Sequence, residues 1–434
     1  MTDPLEIAQR LIRFDTTNPP GNERECVEYV RGLLQGAGLA SELYGGTPER
    51  PNLVARLKGR GQAPPLLLQG HVDVVTTDGQ AWTRPPFEAV VEDGWLWGRG
   101  TLDMKGGVAM MVSAFLRAAA EGGAPGDLVL AVLADEEAGG LHGASWLVDH
   151  RPDLFSGIRH ALGEAGAVAI HLGGRRFYPI MLTEKRGCQM RVTLRGPGGH
   201  GSLPMRGGAM ARLGELLTRL DRSRLPYHLT PATRLMLEGI REALQPPLRD
   251  GVAALLDPAR ADAALDELGA LGRELDPLLH NTVNATIVRG GTKINVVPAE
   301  VSADLDGRLL PGYGPEDMVR ELRQVIGDQP QVDVVLAGPA QAELDLSLYD
   351  QLAAVLREAD PEGVPVPYMV SGGTDGRHFA RLGIRTYGFL PLNLPPGFEW
   401  ARTIHAADER VPVESLRFGA DCVHRAVMQY RTAG

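Results

Sequence analysis

The spacing of apolar residues divides the chain into alternating helices and strands. Residues 4–14 and 23–36 carry apolar side chains three and four positions apart, which predicts two amphipathic helices. Residues 52–57 and 66–75 are short β-type runs, and the apolar run within residues 127–134 is typical of a strand covered on both faces. Strands that alternate with helices predict an α/β fold whose mixed, mostly parallel sheet is flanked by helices.

A second pattern begins near residue 187 and predicts a separate domain. Residues 188–194 alternate between apolar and polar side chains, as in a strand with one face in solvent, and residues 301–309 continue this pattern. Residues 218–279 are rich in Arg, Leu, Ala and Asp and are predicted to be helical. We therefore predict a catalytic domain of residues 1–186 and 341–434, and an inserted α+β domain of residues 187–340 with a helical insertion at about 204–280.

Composition and charge exclude several classes of function. The 434 residues include 44 Lys and Arg against 54 Asp and Glu, and no basic run occurs, so a nucleic-acid partner is not predicted. No stretch has the apolar length of a membrane-spanning helix. The first residues are acidic and include a proline, unlike a signal peptide, which favours a cytoplasmic protein. The widely spaced Cys26, Cys188 and Cys422 are predicted to be free thiols rather than disulfide partners or metal ligands.

Two motifs in the first half of the chain carry candidate metal ligands. His71 and Asp73 end an apolar run, and the period of a strand would place both on one face, where Asp73 can hold one nitrogen of a metal-bound His71. Asp103 lies in a turn framed by glycines. This turn does not match the GxGxxG spacing, and its acid would repel a pyrophosphate, so a dinucleotide loop is excluded. Taken singly, each motif is also compatible with an ordinary surface turn.

More acids and a second histidine extend the set of candidate ligands. Glu136 and Glu137 follow the most apolar strand, where adjacent acids repel one another unless a cation or protons compensate. Glu164 follows another predicted strand, and His405 lies in a late segment rich in acids. Two histidines, one bridging acid and two further acids suit a pair of divalent ions about 4 Å apart.

The order of these motifs resembles a known family of metallohydrolases. The segments GHVDVV, GRGTLDMKGG, DEEAGG, GEAG and IHAADE are similar to those of acetylornithine deacetylase, succinyl-diaminopimelate desuccinylase, aminoacylase and carboxypeptidase S. The resemblance covers nearly the whole chain and implies a zinc-exopeptidase-like catalytic domain with an inserted lid and dimerisation domain. It implies one ion held by His71, Asp103 and Glu164, and a second held by Asp103, Glu137 and His405. It also implies a cis peptide before Met104. Glu136 would be the general base toward a metal-bridging water, and Asp73 the acid that orients His71.

The lid of this family supplies residues that bind the substrate. The letters GGHGS resemble the lid motif whose histidine, here His200, donates to the carbonyl oxygen as it becomes an oxyanion; the family more often has serine after this histidine. Asn295 and Arg308 resemble lid residues that bind the free carboxylate of the substrate. Gly373 and Arg377 lie in a stretch similar to the glycine-rich substrate loop of the catalytic domain, one residue shorter than in desuccinylases.

The resemblance implies a two-metal hydrolase that cleaves the amide bond of an N-acyl-L-amino acid or of a short peptide with a free carboxylate. A carboxypeptidase or dipeptidase of the same family remains open, as does a catalytically inactive metal-dependent binding protein. A related family of two-metal aminopeptidases shares the order of these ligands along the chain. Those enzymes lack the inserted lid, so an aminopeptidase of that family is not favoured. Zinc is the expected metal, with cobalt or manganese compatible with the same ligands. A homodimer formed through the lid domain is a further expectation.

Overall fold

The computed structural model describes residues 2–339 and 344–431. Within these ranges the chain forms two compact units, of which the first contains the chain up to Leu182, the segment Leu344–Tyr368 and the chain from Thr374 onward. The second unit contains Thr183–Glu343 and Met369–Gly373. The predicted domain border at 340 and 341 lies outside the described residues.

Gly373 lies in a different unit from the one that the sequence predicts. The sequence places it in the catalytic domain, whereas in the structure it belongs to the second unit. The reason is a backbone contact just before it, because the N–H of Lys185 donates to the carbonyl of Val370 at 3.0 Å. This hydrogen bond ties the segment to Lys185, which belongs to the second unit.

Secondary structure in the first part of the chain alternates between helices and strands, as the apolar spacing predicts. The elements are α1 (Pro4–Ile12), α2 (Arg24–Gly36), β1 (Ser41–Tyr44), β2 (Asn52–Leu57), β3 (Leu66–His71), β4 (Val90–Glu92), β5 (Trp95–Trp97), α3 (Lys105–Ala120), β6 (Leu128–Leu133), α4 (Ala144–His150), β7 (His160–Gly163), β8 (Ile170–Leu172) and β9 (Arg175–Glu184).

The second unit combines a sheet with a run of helices. Its elements are β10 (Arg186–Arg195), β11 (Gly199–His200), α5 (Ala209–Arg222), α6 (Pro231–Ala243), α7 (Leu248–Ala254), α8 (Ala261–Glu267), α9 (Ala270–Leu275), β12 (Thr282–Gly290), β13 (Val296–Val297), β14 (Glu300–Leu309), α10 (Pro315–Ile326) and β15 (Gln331–Ala337). The last part of the chain contains α11 (Tyr349–Ala359), β16 (Gly363–Val370), α12 (Gly376–Phe379), β17 (Arg385–Gly388), β18 (Arg410–Pro412) and α13 (Val413–Gln429).

The central sheet of the first unit has the strand order β1-β2-β6-β3-β7-β17-β9-β16, with β8 paired to β9. The inner strands β6, β3, β7 and β17 are parallel, whereas β2 and β9 join this core antiparallel on either side. The predicted mixed, mostly parallel sheet is therefore confirmed. Every residue of β6 is buried, as expected of a strand with helices on both faces.

Local sequence explains where the helices of the first unit begin and how they pack. The side chain of Asp3 caps α1 by accepting from the N–H of Leu5 at 3.1 Å, and Pro4 occupies the first turn, where a missing N–H has no cost. Helix α3 is buried around most of its circumference because it lies between the sheet and helices α1 and α13. These contacts fix the start of α3 directly after the Asp103 turn.

The sheet of the second unit has the order β12-β14-β10-β15 and is antiparallel. One face carries alternating buried residues of β10, such as Met190 and Val192, which pack with residues of α5 and α10. The opposite face carries ion pairs such as that between Arg191 and Asp304. No helix within residues 2–339 and 344–431 is long and apolar enough to cross a membrane.

Candidate metal centre

The carboxyl ends of three neighbouring parallel strands bring the predicted ligands together. β3 ends at His71, the turn with Glu136 and Glu137 follows β6, and Glu164 follows β7. Parallel strands end at the same edge of a sheet, and this edge is where open α/β sheets bind ligands. A turn between β5 and α3 adds Asp103.

The carboxylate of Asp103 lies between the two histidines. Its Oδ1 is 3.1 Å from Nε2 of His71, and its Oδ2 is 3.2 Å from Nε2 of His405. The same nitrogen of each histidine also lies near a glutamate: Nε2 of His71 is 3.5 Å from Oε2 of Glu164, and Nε2 of His405 is 3.2 Å from Oε2 of Glu137. Asp103 thus presents one oxygen to each of two histidine–glutamate pairs. The peptide bond from Asp103 to Met104 is cis.

These distances fit metal ligands. Donor atoms around a tetrahedral zinc lie about 3.3 Å apart, given metal–ligand distances near 2 Å. Among the described residues, two groups have ligand atoms within 4.8 Å of one another: His71, Asp103 and Glu137, and His71, Glu136 and Glu164. Oε1 of Glu137 is also buried and has no hydrogen-bond partner among the described residues, as expected of an oxygen that binds a cation.

The charge of the cluster also calls for cations. Hydrogen bonds to Asp103 and Glu137 raise the pKa of His405 to about 10. Burial lowers the pKa of His71, but the carboxylates beside it raise that pKa well above its ordinary value. The acids therefore attract positive charge, which protons on the histidines supply in the metal-free protein. Divalent ions would displace these protons, since a histidine ligates metal only when neutral.

Asp73 contacts His71 and also residues that the sequence does not predict as its partners. β3 ends at His71, so Asp73 lies beyond the strand, and Nδ1 of His71 is closer to the backbone carbonyl of Asp73 (3.0 Å) than to its carboxylate (3.4 Å). The carboxylate also accepts from the N–H groups of Glu136 and Glu137, each at 3.1 Å, and from Nδ2 of Asn18 at 2.8 Å. Asp73 therefore connects the His71 segment to the glutamate turn.

A buried group of charges behind this turn was not predicted from the sequence. Asp135 has a positive φ of 70° and accepts from Nδ2 of Asn18 at 3.1 Å and from the N–H of His142 at 2.9 Å. Arg50 bridges Asp135, at 2.8 Å, and the fully buried Glu23. These partners are far apart in sequence. The Asn-Pro dipeptide at Asn18, which is a turn signal, is the local feature of the sequence that points to this group.

Glu136, the expected general base, lies beside the stretch predicted as a substrate loop. Its Oε1 is 3.4 Å from Nη1 of Arg377. Burial, together with the nearby Glu164, raises the pKa of Glu136 well above its ordinary value. Asp375 is also buried, neither of its carboxylate oxygens has a hydrogen-bond partner among the described residues, and burial raises its pKa to about 8.

In the second unit, His200 is exposed on the two-stranded ribbon formed by β11 and β13. Nδ1 of His200 lies 2.7 Å from Oγ of Ser202 and 3.2 Å from the N–H of Ser202, and the tautomer with its proton on Nε2 allows Nδ1 to accept from both groups. The N–H of Gly201 donates to the carbonyl of Asn295 at 2.8 Å. A Cβ at Gly201 would lie 3.2 Å from the backbone of Asn295, so a serine at this position would require that backbone to shift by a few tenths of an ångström.

Arg308, on β14, is half-buried and forms a two-pronged ion pair. Its Nε and Nη2 atoms each lie 3.0 Å from an oxygen of Asp306, two residues earlier. This arrangement is the fork geometry by which arginine binds a carboxylate. His200, Asn295, Arg308 and Gly373 all belong to the second unit, whereas Arg377 and the predicted ligands belong to the first.

The fold and the residues of the centre define a metal-dependent hydrolase, and comparisons with known proteins agree. The chain belongs to Peptidase family M20/M25/M40, whose model matches residues 67–429. Succinyl-diaminopimelate desuccinylase of Cereibacter sphaeroides is 33% identical over 431 residues, covering 95% of each chain. The chain is therefore an amidohydrolase or peptidase of this family.

Solved structures with low sequence identity share the fold. An M20 family metallo-carboxypeptidase of Sulfolobus solfataricus has a TM-score of 0.69 at 17% identity, with 99% of each chain covered. A dinuclear metal-binding peptidase of the M20 family from Bacillus subtilis has a TM-score of 0.61 at 13% identity, with 98% of this chain and 97% of that chain covered.

Proposed function

We propose that the chain is a two-metal hydrolase that cleaves the amide bond of an N-acyl-L-amino acid, or of a short peptide, bearing a free carboxylate. The observation that carries this proposal is the position of Asp103, whose two oxygens face His71 and His405 at 3.1 and 3.2 Å. A carboxylate with one oxygen toward each of two histidines is suited to bridge two ions. His71, Asp103 and Glu164 would hold one ion, and Asp103, Glu137 and His405 would hold the other.

Divalent ions at this centre, most simply zinc, would polarise the amide carbonyl and make a water molecule more acidic. Glu136 then acts as the general base, accepting a proton at its carboxylate and passing it to the leaving nitrogen. Its burial and the upward shift of its pKa support this role, because a carboxylate with a raised pKa accepts a proton more readily. Arg377, 3.4 Å away, steadies the carboxylate between these steps.

Residues of the second unit bind the substrate in this proposal. His200 donates from Nε2 to the carbonyl oxygen as negative charge develops there, which is supported by the Ser202 N–H at its other nitrogen. Arg308 and Asn295 bind the free carboxylate of the substrate, with Arg308 exchanging Asp306 for that carboxylate. Gly373 lines the same substrate-binding surface.

We further propose a homodimer formed through the second unit and a cytoplasmic location. The edge strands β12 and β15 expose apolar side chains, among them Val288 at 55% and Leu336 at 59%, and an exposed apolar edge strand favours pairing with another chain. Light scattering coupled to gel filtration measures the mass in solution. The three cysteines are free and buried, which is compatible with a reducing compartment.

The test of the activity is hydrolysis of a substrate panel after zinc reconstitution. The panel contains N-acetyl, N-succinyl and long-chain N-acyl amino acids and dipeptides, each with a free and with an amidated carboxylate. We expect turnover of the free forms only, and the preferred member separates a deacylase from a carboxypeptidase or dipeptidase. Equal turnover of the amidated forms would contradict carboxylate binding by Arg308. An absence of turnover with two bound ions would favour the binding-protein alternative.

Adjacent glutamates provide a matched pair of variants for the mechanism. We expect Glu136→Gln to retain both ions and to lose several orders of magnitude in kcat, because the proton acceptor is removed. We expect Glu137→Gln, the same change one residue later, to lose one ion instead. Metal analysis of both proteins distinguishes the two roles, and turnover near the wild-type rate in Glu136→Gln would refute the assignment of the base.

A further inference from the structure

Glu409 is a fully buried acid whose hydrogen bonds concentrate on the loop that carries Asp103. Its Oε1 accepts from the N–H groups of Leu102, at 2.7 Å, and of Asp103, at 3.1 Å. Its Oε2 accepts from the N–H of Gly100, at 3.0 Å, and from Nη1 of Arg99, at 2.7 Å. One carboxylate thus collects the backbone donors of a loop that lies about 306 positions away in sequence.

Arg99 extends this contact back to His405. Nη2 of Arg99 donates to Oε1 of Gln80 at 2.8 Å, and Nε2 of Gln80 donates to the backbone carbonyl of His405 at 2.9 Å. The backbone of His405 needs such support, because its φ of 61° is unusual for a residue with a side chain. A chain of hydrogen bonds therefore connects the Asp103 N–H, through Glu409, Arg99 and Gln80, to the His405 carbonyl.

We propose that Glu409 is a positioning residue that fixes the bridging carboxylate of Asp103 relative to His405, so that both can ligate the same ion. The proposal rests on the proposed function, which makes these two side chains metal ligands. Glu409 lies four residues after His405, so its carboxylate fixes the distance between a segment near the end of the chain and a loop near its start. Hydrogen bonds to a buried carboxylate are among the strong ones, and partners behind metal ligands commonly change metal affinity 10- to 100-fold.

The test compares Glu409→Gln with the wild-type protein. Glutamine keeps the size of the side chain but presents N–H groups to at least one of the loop donors. The matched control is Asp360→Asn, which changes another buried acid paired with an arginine, Arg176, whose hydrogen bonds in the described chain do not involve the ligand-bearing segments. Zinc affinity is measured by competition with a chromogenic chelator, and the cobalt-loaded proteins are compared by visible absorption. Thermal unfolding of the metal-free proteins reports any general loss of stability.

We expect at least a 10-fold loss of affinity for one or both ions in Glu409→Gln and an altered cobalt spectrum. We expect both properties to be unchanged in Asp360→Asn, even where the two variants unfold at similarly lowered temperatures. Affinity and spectrum of Glu409→Gln like those of the wild type would overturn the proposal, and so would an equal loss in the control. A wild-type protein that binds no divalent ion would overturn the proposed function as well.

Gln80→Leu provides a second variant in case Glu409→Gln does not fold. Gln80 is only partly buried, and its removal leaves the ion pair of Glu409 and Arg99 in place. The substitution removes the hydrogen bond to the His405 carbonyl, so we expect at least a 3-fold loss of affinity for the more weakly bound ion. Wild-type affinity for both ions in Gln80→Leu would contradict a path through Arg99.

Discussion

The carboxylate of Asp73 offers a sharp test of how the centre is held together. It accepts three hydrogen bonds, from the N–H groups of Glu136 and Glu137 and from Asn18, at 2.8 to 3.1 Å. Asp73→Asn keeps one acceptor oxygen and turns the other into a donor that faces an N–H group. One hydrogen bond is lost, and the remaining hydrogen bonds become weaker because their acceptor is no longer charged. A hydrogen bond to a charged group contributes about 1.5–3 kcal/mol to stability. We therefore expect the free energy of unfolding to fall by about 3 kcal/mol.

The same substitution should weaken metal binding, because the glutamate turn and His71 would no longer be held to one another. We expect a loss of affinity of about 10- to 100-fold, the usual effect of removing a partner of a ligand. Thermal unfolding of the metal-free protein checks the first effect and chelator competition checks the second. Turnover at saturating zinc then shows how much of the lost activity is recovered by loading the centre.

Asp127→Asn is the matched control for this experiment. Asp127 also accepts from a backbone N–H, that of Gly59 at 2.9 Å, and from Nη1 of Arg56 at 2.9 Å, but it is partly exposed and precedes β6 rather than following it. We expect a smaller loss of stability and unchanged metal affinity. Wild-type stability and metal affinity in Asp73→Asn would refute the reasoning, because the three hydrogen bonds would then contribute nothing.

Three further predictions follow from groups with shifted pKa values. Burial raises the pKa of Asp375 to about 8. In the metal-free protein, the contribution of the Asp375 carboxyl group to stability is therefore complete below its unfolded pKa, near 4, and is lost as the pH rises to about 8. The melting temperature of Asp375→Asn should increasingly exceed that of the wild type over this range. Burial raises the pKa values of Cys26 and Cys422 to about 11 and about 12, so the native protein should not react with a thiol reagent at pH 8, whereas the denatured chain should expose three thiols. Zinc loading at pH 7.5 should release protons, because the pKa of His405 is raised to about 10 without metal; calorimetry in buffers of different ionisation enthalpy measures this release.

The sequence predicts those parts of the site that local patterns encode. His71, Glu137 and Glu164 each follow an apolar run, and the rule that parallel strands end at one edge of the sheet suffices to bring them together. The role of Asp73 stays a prediction: its carboxylate lies 3.4 Å from Nδ1 of His71, although β3 ends at His71 and the same carboxylate also accepts from the glutamate turn.

Long-range contacts between single charges could not be predicted in this way. Glu23 is next to no unusual motif, yet it is fully buried against Arg50. Glu409 is one acid in an acidic segment, and its partners begin at Arg99. Such pairs depend on how loops return to the sheet, which neither hydrophobic periodicity nor motif spacing determines.

The order of the ligands along the chain has a consequence for synthesis on the ribosome. The second unit consists mainly of Thr183–Glu343, a continuous stretch that is made after Glu164 and before His405. Chains are made from the amino end, and domains generally fold as units while they emerge. The nascent chain can therefore complete the second unit while the centre still lacks one histidine. In the proposed scheme, the ion that needs His405 would be captured only after that unit has left the ribosome, whereas the ion of His71, Asp103 and Glu164 would not have to wait for it.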